Sequence, residues 1–540
     1  MSLTSVISRF IYGYPIAGED DQDDAQCTPI PQPPTIPLLG NAFTLDKRTP
    51  YLSFQLLWKT YGDIYCLVFP GRRVNFINSH ALALEALDER RFHKAVAGGL
   101  VELRGLVGDG LFTAFHGEPN WAIAHRILTP AFSPVQIKGM FDDMMDICSQ
   151  LVLKWERYGP EYAINPAEDF TRLAFDTLSL CTMGYRVNSF YNDAVHPFVT
   201  SMGAYLLEAQ RRVPYPEPIK SMSTPSQWEL DRKSMNHIVD KVIGDRKSSG
   251  EKRGDLLDLM LEGKDAQTGQ GLSDENIRYQ VHLSIIFSNI CKKLSGMLSF
   301  IIYELLKSPR AYNKVKEEVD TVLQGKPIQP EHLGKFPYIV AVMREGLRLH
   351  PPAAIIGLTP FDDEIIGGKY KIRKGEPVAL QIAFMHRDPL VWGDNVEEFV
   401  PERMLDGKFD ALPPKAWLPF GNGARACIGR AFAWQEATIA LATLFQRFDF
   451  ILADSTYDLK IKQTLTIKPD EFYIHAIPRK NVAPMVVGSK QQSKPNVGGI
   501  PGIKSLPNEN MEGKQRLHVL YGSNTGTSEA FAQRIASAAS

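Results

Sequence analysis

The 540-residue chain is 44% hydrophobic and 22% charged, an ordinary globular composition with ample length for a large core. Its 60 Lys and Arg balance 61 Asp and Glu, which argues against a polyanion-binding surface and so against a nucleic-acid partner. The six cysteines are unclustered and form no CxxC pair, which excludes a disulfide framework and points to a reducing compartment, taken as the cytoplasm.

Residues 1–28 are mildly amphipathic and then acidic, without a signal-peptide core or a small-residue cleavage site, and read as a disordered leader. The chain has no run of eighteen apolar residues, so no transmembrane segment is expected. The stretch CTPIPQPPTIPLLGN (27–41) is Pro-rich and extended, because proline removes helical donors and fixes φ. DIYCLVFPG and RRVNFINS, separated at Gly71, predict a β-hairpin. From about residue 80 the pattern turns helical. NWAIAHRILTPAFS and DDMMDICSQLVLKWERYG repeat apolar residues at three and four. A Pro/Ser-rich break falls near 213–227, and 244–275 reads as a polar loop around one short helix. A long apolar segment covers 276–307, and PYIVAVMREGLRL is a helix stopped by Pro351 and Pro352. Irregular Pro- and Gly-rich chain is expected up to about 430. One more long helix, GRAFAWQEATIALATLFQRFDF, then runs into strand-like YDLKIKQTLTIKPDEFYIHAIPR. Residues 481–515 have linker composition.

The most informative stretch is WLPFGNGARACIGRAFA. Cys427 lies just before a helix start between Gly423 and Gly429, with Arg425 two residues away and Phe420 seven residues before it. Backbone N–H groups near a helix N-terminus and a nearby cation favour a thiolate, and small neighbours keep the sulfur open to something flat. An anionic, hydrogen-bonded sulfur screened from water is what an axial haem ligand requires. Here the chain resembles the cytochrome P-450 haem-thiolate family, whose ligand loop reads F-x-x-G-x-R-x-C-x-G. Phe420, Gly423, Arg425, Cys427 and Gly429 meet every fixed position.

The resemblance implies the family's fold: mainly α with a small β-rich subdomain, here over residues 29–480. It also implies haem b held by Cys427. It makes Glu345 and Arg348 of REGLR the E-x-x-R pair, locked to Arg403 of PERM, and fits HRDP at 386–389. Glu345 and Arg348, three apart on a helix, share one face. Trp121 and His125, four apart, would reach a haem propionate, as would Arg425; Phe420 would shield the sulfur.

The closer resemblance is to self-sufficient fatty-acid hydroxylases, in which haem and reductase modules share one chain. GDGLFTA, KWERYG, WGDNVEEFVPER, FGNGARACIG and LTIKP carry it. It implies a fatty-acid-like substrate, dioxygen, and electrons from NADPH through FAD and FMN. The reductase module is expected in cis in a full-length chain and otherwise in trans. Phe112 would stand over the haem, Ala353, Ala354 and Ile355 would line the channel, and Arg72 would meet a carboxylate at its mouth. Phe76 stands where the family has a partner tyrosine, so that phenol is missing. LYGSNTGTSE resembles a flavodoxin phosphate loop, with Ser523, Asn524, Thr525, Gly526 and Thr527 around FMN. Residues 516–540 would be the start of an α/β flavodoxin-like domain. Such a domain needs roughly 100–150 residues, so this stub is expected to bind FMN poorly, as in a fragment or a gene cut short.

One stretch departs from the family. SNICKKLSG places Lys292 and Lys293 where the family's central helix carries an acid and an alcohol that deliver protons. Two extra residues precede SG, and two residues turn an ideal helix by about 200°. Three readings stay open. Residues 281–293 arise from an error in the gene's exon boundaries; or the chain is a haem protein with impaired or absent catalysis; or it rearranges a fatty hydroperoxide without activating oxygen. A buried lysine over an apolar pocket is expensive unless neutral or paired.

Overall fold

The computed structural model describes residues 27–480 apart from 38, 47, 193–195, 214–225 and 290–291, and leaves out the side chains of 286–293. Most of the leader and of the 213–227 break, and all of the linker and the flavodoxin-like stub, lie outside the described residues.

The helices that matter for the site are α1 (Pro50–Tyr61), α2 (Gly99–Val107), α3 (Pro119–Leu128), α4 (Phe141–Tyr158), α5 (Pro166–Met183), α6 (Pro197–Arg212), α7 (Ser226–Ser249), α8 (Asp274–Asn289), α9 (Lys292–Lys307), α10 (Pro309–Leu323), α11 (Pro337–Leu349) and α12 (Arg430–Arg447). Their ends follow local chemistry. Proline opens α1, α3, α5, α6, α10 and α11, where its missing N–H would have been unpaired anyway. Asn165 caps α5 by accepting from Ala167 N, and Gly184 closes it at φ +60. In α4, Met144, Ile147, Cys148, Leu151, Val152 and Trp155 form one buried stripe at helical spacing. Trp155 donates its indole N–H to Asp169 of α5 at 2.8 Å, and Lys154 reaches the other oxygen at 2.6 Å, so this stripe is pinned as well as buried. A completely buried residue of this size contributes on the order of 2–3 kcal/mol through burial alone.

The largest core gathers α4, α5, α9, α10, α11 and α12. A second core gathers α2, α3, α6, α7 and α8. The β-rich part is a five-stranded sheet ordered β1-β2-β7-β4-β3, with β1 Ile64–Phe69, β2 Arg72–Ile77, β3 Phe92–Lys94, β4 Ile355–Pro360 and β7 Val378–Gln381. β2 pairs β7 parallel, and every other neighbour is antiparallel. Three two-stranded units complete it: β5 (Glu364–Ile366) with β6 (Tyr370–Ile372), β8 (Phe448–Leu452) with β11 (Ile474–Pro478), and β9 (Lys460–Gln463) with β10 (Ile467–Asp470).

The 64–77 hairpin forms in register about Gly71, and the Pro-rich lead-in runs extended beside it, with Cys66 N–H donating to Pro31 O at 2.8 Å. Two expectations need correction. The stretch after Pro352, read as irregular, contains β4 to β7: β7 pairs with β2 some 300 residues away, β4 lies between β7 and β3, and β5 and β6 pair with each other. The polar stretch 244–275 is not loop from its start, since α7 continues to Ser249 before the short helix Leu256–Glu262. Arg246 holds that end of α7 in place by pairing with Asp255 and Asp258.

Candidate functional site

Cys427 sits three residues ahead of α12, exposed, after a short 3-10 turn over Gly423–Arg425. Its N–H donates to Phe420 O at 2.8 Å, which closes the loop into a tight turn with the sulfur free. Gly423 has φ +63, and a Cβ there would fall 1.9 Å from a carboxylate oxygen of Glu89. That carboxylate accepts from Ala424 N–H at 2.9 Å. The left-handed backbone favours glycine here, and a side chain would also displace the Glu89 carboxylate. Phe420 packs against Trp417 and Trp434 at 6.1 and 6.2 Å between ring centroids.

Behind the loop lies a fully paired ion network. Glu345 and Arg348 on α11 are completely buried. Arg348 donates to both carboxylate oxygens at 2.8 and 2.9 Å, and Arg403 adds a third contact at 3.0 Å. The remaining guanidinium donors find carbonyls. Arg348 reaches His386, Val396 and Glu398, and Arg403 reaches Trp392 and Asn395. His386 extends this network to the Cys427 loop. Its Nε2 accepts from Leu418 N–H at 2.9 Å, so Nδ1 carries the proton and faces Arg348 O at 3.2 Å. Burial pushes the imidazole pKa down to about 3, so the ring is neutral and keeps this tautomer. Sequence reading matched HRDP only as a pattern and missed this link between α11 and the loop.

In front of the loop lies a cluster of the opposite kind. Trp121 and His125 on α3 stack at 4.9 Å, and the Arg425 guanidinium lies 4.1 Å above the Trp121 ring. Arg425 donates to the carbonyls of Leu111, Ala114 and Phe115 at 3.2–3.4 Å. No carboxylate pairs with it among the described residues; the nearby Glu118 is bound to Arg104 at 2.6 Å. Burial lowers the pKa of both Arg425 and His125. Lys94, which the sequence reading did not single out, lies 4.3 Å from the Phe112 ring centroid on the same side.

Arg425 thus ties the cysteine loop to the loop that carries Phe112, and Phe112 lines a cavity of about 150 Å³. Ala353, Ala354 and Ile355 line it too, with Tyr51 and Phe54 of α1 and residues 465–467 beside β10. Gly296 of α9 lets the helix approach this wall, since a Cβ there would lie 2.8 Å from Ile467 O. Arg72 and Phe76 are not part of this lining. Arg72 is half-buried, with its guanidinium 5.4 Å from the Phe69 ring. Phe76 is in the core, stacked at 4.9 Å on its cross-strand partner Tyr65. A phenol does stand here, one strand away, and its hydroxyl donates to Gln381 Oε1 at 3.0 Å. Lys292 and Lys293 begin α9, with side chains outside the description. Ser523, Asn524, Thr525, Gly526 and Thr527 lie outside the described residues.

These groups fit a haem: an open sulfur on a rigid loop, a half-buried cation lacking a carboxylate, an aromatic and an imidazole beside it, and an apolar cavity reached through the same loop. The fold and the sulfur loop define a haem-thiolate protein. Comparison with known proteins agrees, as the Cytochrome P450 family pattern matches residues 30–476. The chain belongs to the cytochrome P450 family. It is 48% identical over 522 residues to a self-sufficient cytochrome P450 monooxygenase of Phanerodontia chrysosporium, covering 94% of this chain and 48% of that protein. It is 45% identical over 523 residues to a bifunctional cytochrome P450/NADPH–P450 reductase of Fusarium oxysporum, covering 95% and 49%. A bifunctional protein of the same description from Aspergillus oryzae is 44% identical over 525 residues. The chain spans about half the length of the relatives it matches. No helix among the described residues is long and apolar enough to cross a membrane.

Proposed function

We propose that the chain is the haem domain of a monooxygenase that hydroxylates a fatty-acid-like substrate near its methyl end. Electrons would come from NADPH through an FAD- and FMN-carrying reductase, in cis in a longer chain or otherwise in trans. The observation that carries this reading is the Arg425 bridge, which joins the Cys427 loop to the wall of an apolar cavity. The relatives' names, self-sufficient monooxygenase and P450/NADPH–P450 reductase, support the electron route. Bound haem would supply the activation of dioxygen and the transfer of one oxygen atom to a C–H bond. Cys427 would hold the iron, and Arg425, Trp121 and His125 would hold a propionate. Phe112, Ala353 and Ala354 would exclude water and orient the aliphatic chain. Arg72, a half-buried cation at the start of β2, is the proposed partner of a carboxylate at the mouth. Glu345, Arg348 and Arg403 act through the backbone, as positioning residues for the loop.

A second reading rests on Lys292 and Lys293, which stand at the start of α9 in place of an acid–alcohol pair. On that reading the chain binds haem with little or no oxygen-dependent turnover, or rearranges a fatty hydroperoxide. A carbon monoxide difference spectrum followed by an NADPH-driven product assay with added reductase separates these readings. The expected result is a thiolate-type Soret band, lost in Cys427→Ser, with hydroxylated fatty acid as product. The band without product supports the second reading, and a fatty hydroperoxide offered without reductase then tests for rearrangement. A wild-type spectrum that Cys427→Ser leaves unchanged ends the thiolate assignment. Sequencing the transcript across codons 277–300 decides whether the two lysines are encoded.

A further inference from the structure

The loop that carries Phe112 is gripped by one face of α8. Tyr279, Gln280 and Leu283 follow Asn276 by three, four and seven residues, so all four share that face. Asn276 and Gln280 are both buried, at 2% exposure. Asn276 donates a side-chain N–H to one carboxylate oxygen of Asp109 at 2.9 Å. Gln280 accepts from the backbone N–H of Leu111 at 3.3 Å and donates to Asn276 Oδ1 at 2.9 Å. The other oxygen of Asp109 accepts from Asn120 of α3, the neighbour of Trp121, at 2.6 Å. Glycine lets the loop come this close: a Cβ at Gly108 would run into the Tyr279 ring, and one at Gly110 into the Leu283 side chain. Buried amides are costly unless their polar atoms are paired, and these two pair with the loop and with each other. Bonds within the loop, from Thr113 Oγ1 to Gly108 O and from Ala114 N–H to Gly110 O, give it its shape. The clip from α8 gives it its place. Phe112 then stands on a backbone held to both sides, with Leu111 N–H on Gln280, Leu111 O on Arg425 and Thr113 O on Arg104.

We propose that Asn276 and Gln280 are positioning residues that, with Asp109, fix where Phe112 stands in the cavity wall and so how far an aliphatic chain reaches past it. The clip thereby sets the preferred chain length and the carbon that is oxidised. This rests on the reading of the cavity as the substrate site. Asp109, Asn276 and Gln280 do not line the cavity, whereas Phe112 does, so their effect on a substrate passes through that ring. A charge-assisted hydrogen bond at each Asp109 oxygen makes the clip stiff.

The test is an exchange of partners. Asn276→Asp sets a second carboxylate against Asp109 with almost no change in volume. The double variant Asp109→Asn/Asn276→Asp restores each donor and acceptor with the roles reversed. Two readouts are taken on the haem-loaded full chain: deuterium exchange at the backbone amides of 110–114, and the shift in haem absorption on binding lauric, myristic and palmitic acids. Asn276→Asp is expected to speed exchange at Leu111 by about tenfold, and to raise the affinity for palmitic relative to lauric acid about three- to tenfold as Phe112 gives way. The double variant is expected to return both to wild-type values. Gln280→Met removes the acceptor of Leu111 N–H; it gives the same direction at about two- to threefold and carries the test if Asn276→Asp does not fold. Unchanged exchange at Leu111, equal weakening of all three acids, or a double variant that restores neither readout overturns the proposal and leaves the clip as scaffold. Faster exchange at Leu111 in the variant, with no absorption shift from any acid in wild-type protein, overturns the substrate reading instead, and the claim on specificity with it.

Discussion

The two sides of the Cys427 loop treat charge in opposite ways. Behind it, Glu345 satisfies two arginines, and every remaining guanidinium contact ends on a carbonyl. In front of it, Arg425 is half-buried over Trp121, its hydrogen bonds among the described residues end only on carbonyls, and the nearby Glu118 is taken by Arg104. A closed network of this kind fixes the fold, because removing one member strands the others in a low-dielectric interior. A half-buried cation without its anion does little for the protein alone and marks where a ligand's negative charge belongs. The difference separates scaffold from binding site without reference to catalysis.

Breaking the closed side has the largest effect expected. Glu345→Ala leaves Arg348 and Arg403 buried without a carboxylate and is expected to destabilise the protein by about 3–5 kcal/mol, read from urea unfolding. Haem incorporation falls with it, since Leu418 loses its anchor through His386. Equal unfolding midpoints for variant and wild type would remove the network from the scaffold.

A second buried glutamate sharpens the contrast. Glu436 on α12 is also buried, at 2% exposure, but neither of its oxygens completes a hydrogen bond among the described residues, although the Thr177 hydroxyl lies nearby. Burial pushes its pKa up to about 8, so it stays protonated at neutral pH. A carboxyl whose folded pKa lies above its unfolded value binds more protons folded than unfolded. Stability therefore falls as pH rises from the ordinary 4.5 to about 8. Glu436→Gln is expected to match wild type near the acid end of that window and to gain ~2–3 kcal/mol at its alkaline end. Unfolding curves at both ends check the sign; a gain independent of pH would mean that Glu436 does not titrate there.

The open side gives the smallest effect on the fold. Arg425→Ala is expected to change the apoprotein's unfolding midpoint by less than about 1 kcal/mol, while haem is lost to an acceptor protein about tenfold faster. A large loss of apoprotein stability would instead place Arg425 in the scaffold with Glu345.

Local patterns made much of this legible. The cysteine loop was readable because its function depends on residues within ten positions of one another, and the Glu345–Arg348 pair because three residues bring two side chains to one helical face. Helices with long apolar stripes, such as α4 and α11, were readable for the same reason. The strands between 355 and 381 were not. They are short and interrupted by Gly and Pro, and β4 and β7 gain their partners from β3 and β2, far away in sequence.

The sequence by itself determined that a cysteine loop of the family's pattern exists, which residues flank it and that most of the chain is helical, because these follow from spacing along a single segment. Only the tertiary structure decided that Phe76 is in the core while Tyr65 bears the phenol, and that His386 links α11 to the cysteine loop. Each of these depends on groups distant in sequence meeting where water is absent. There, a polar atom's partner or lack of one becomes the deciding energy, and no local pattern records it.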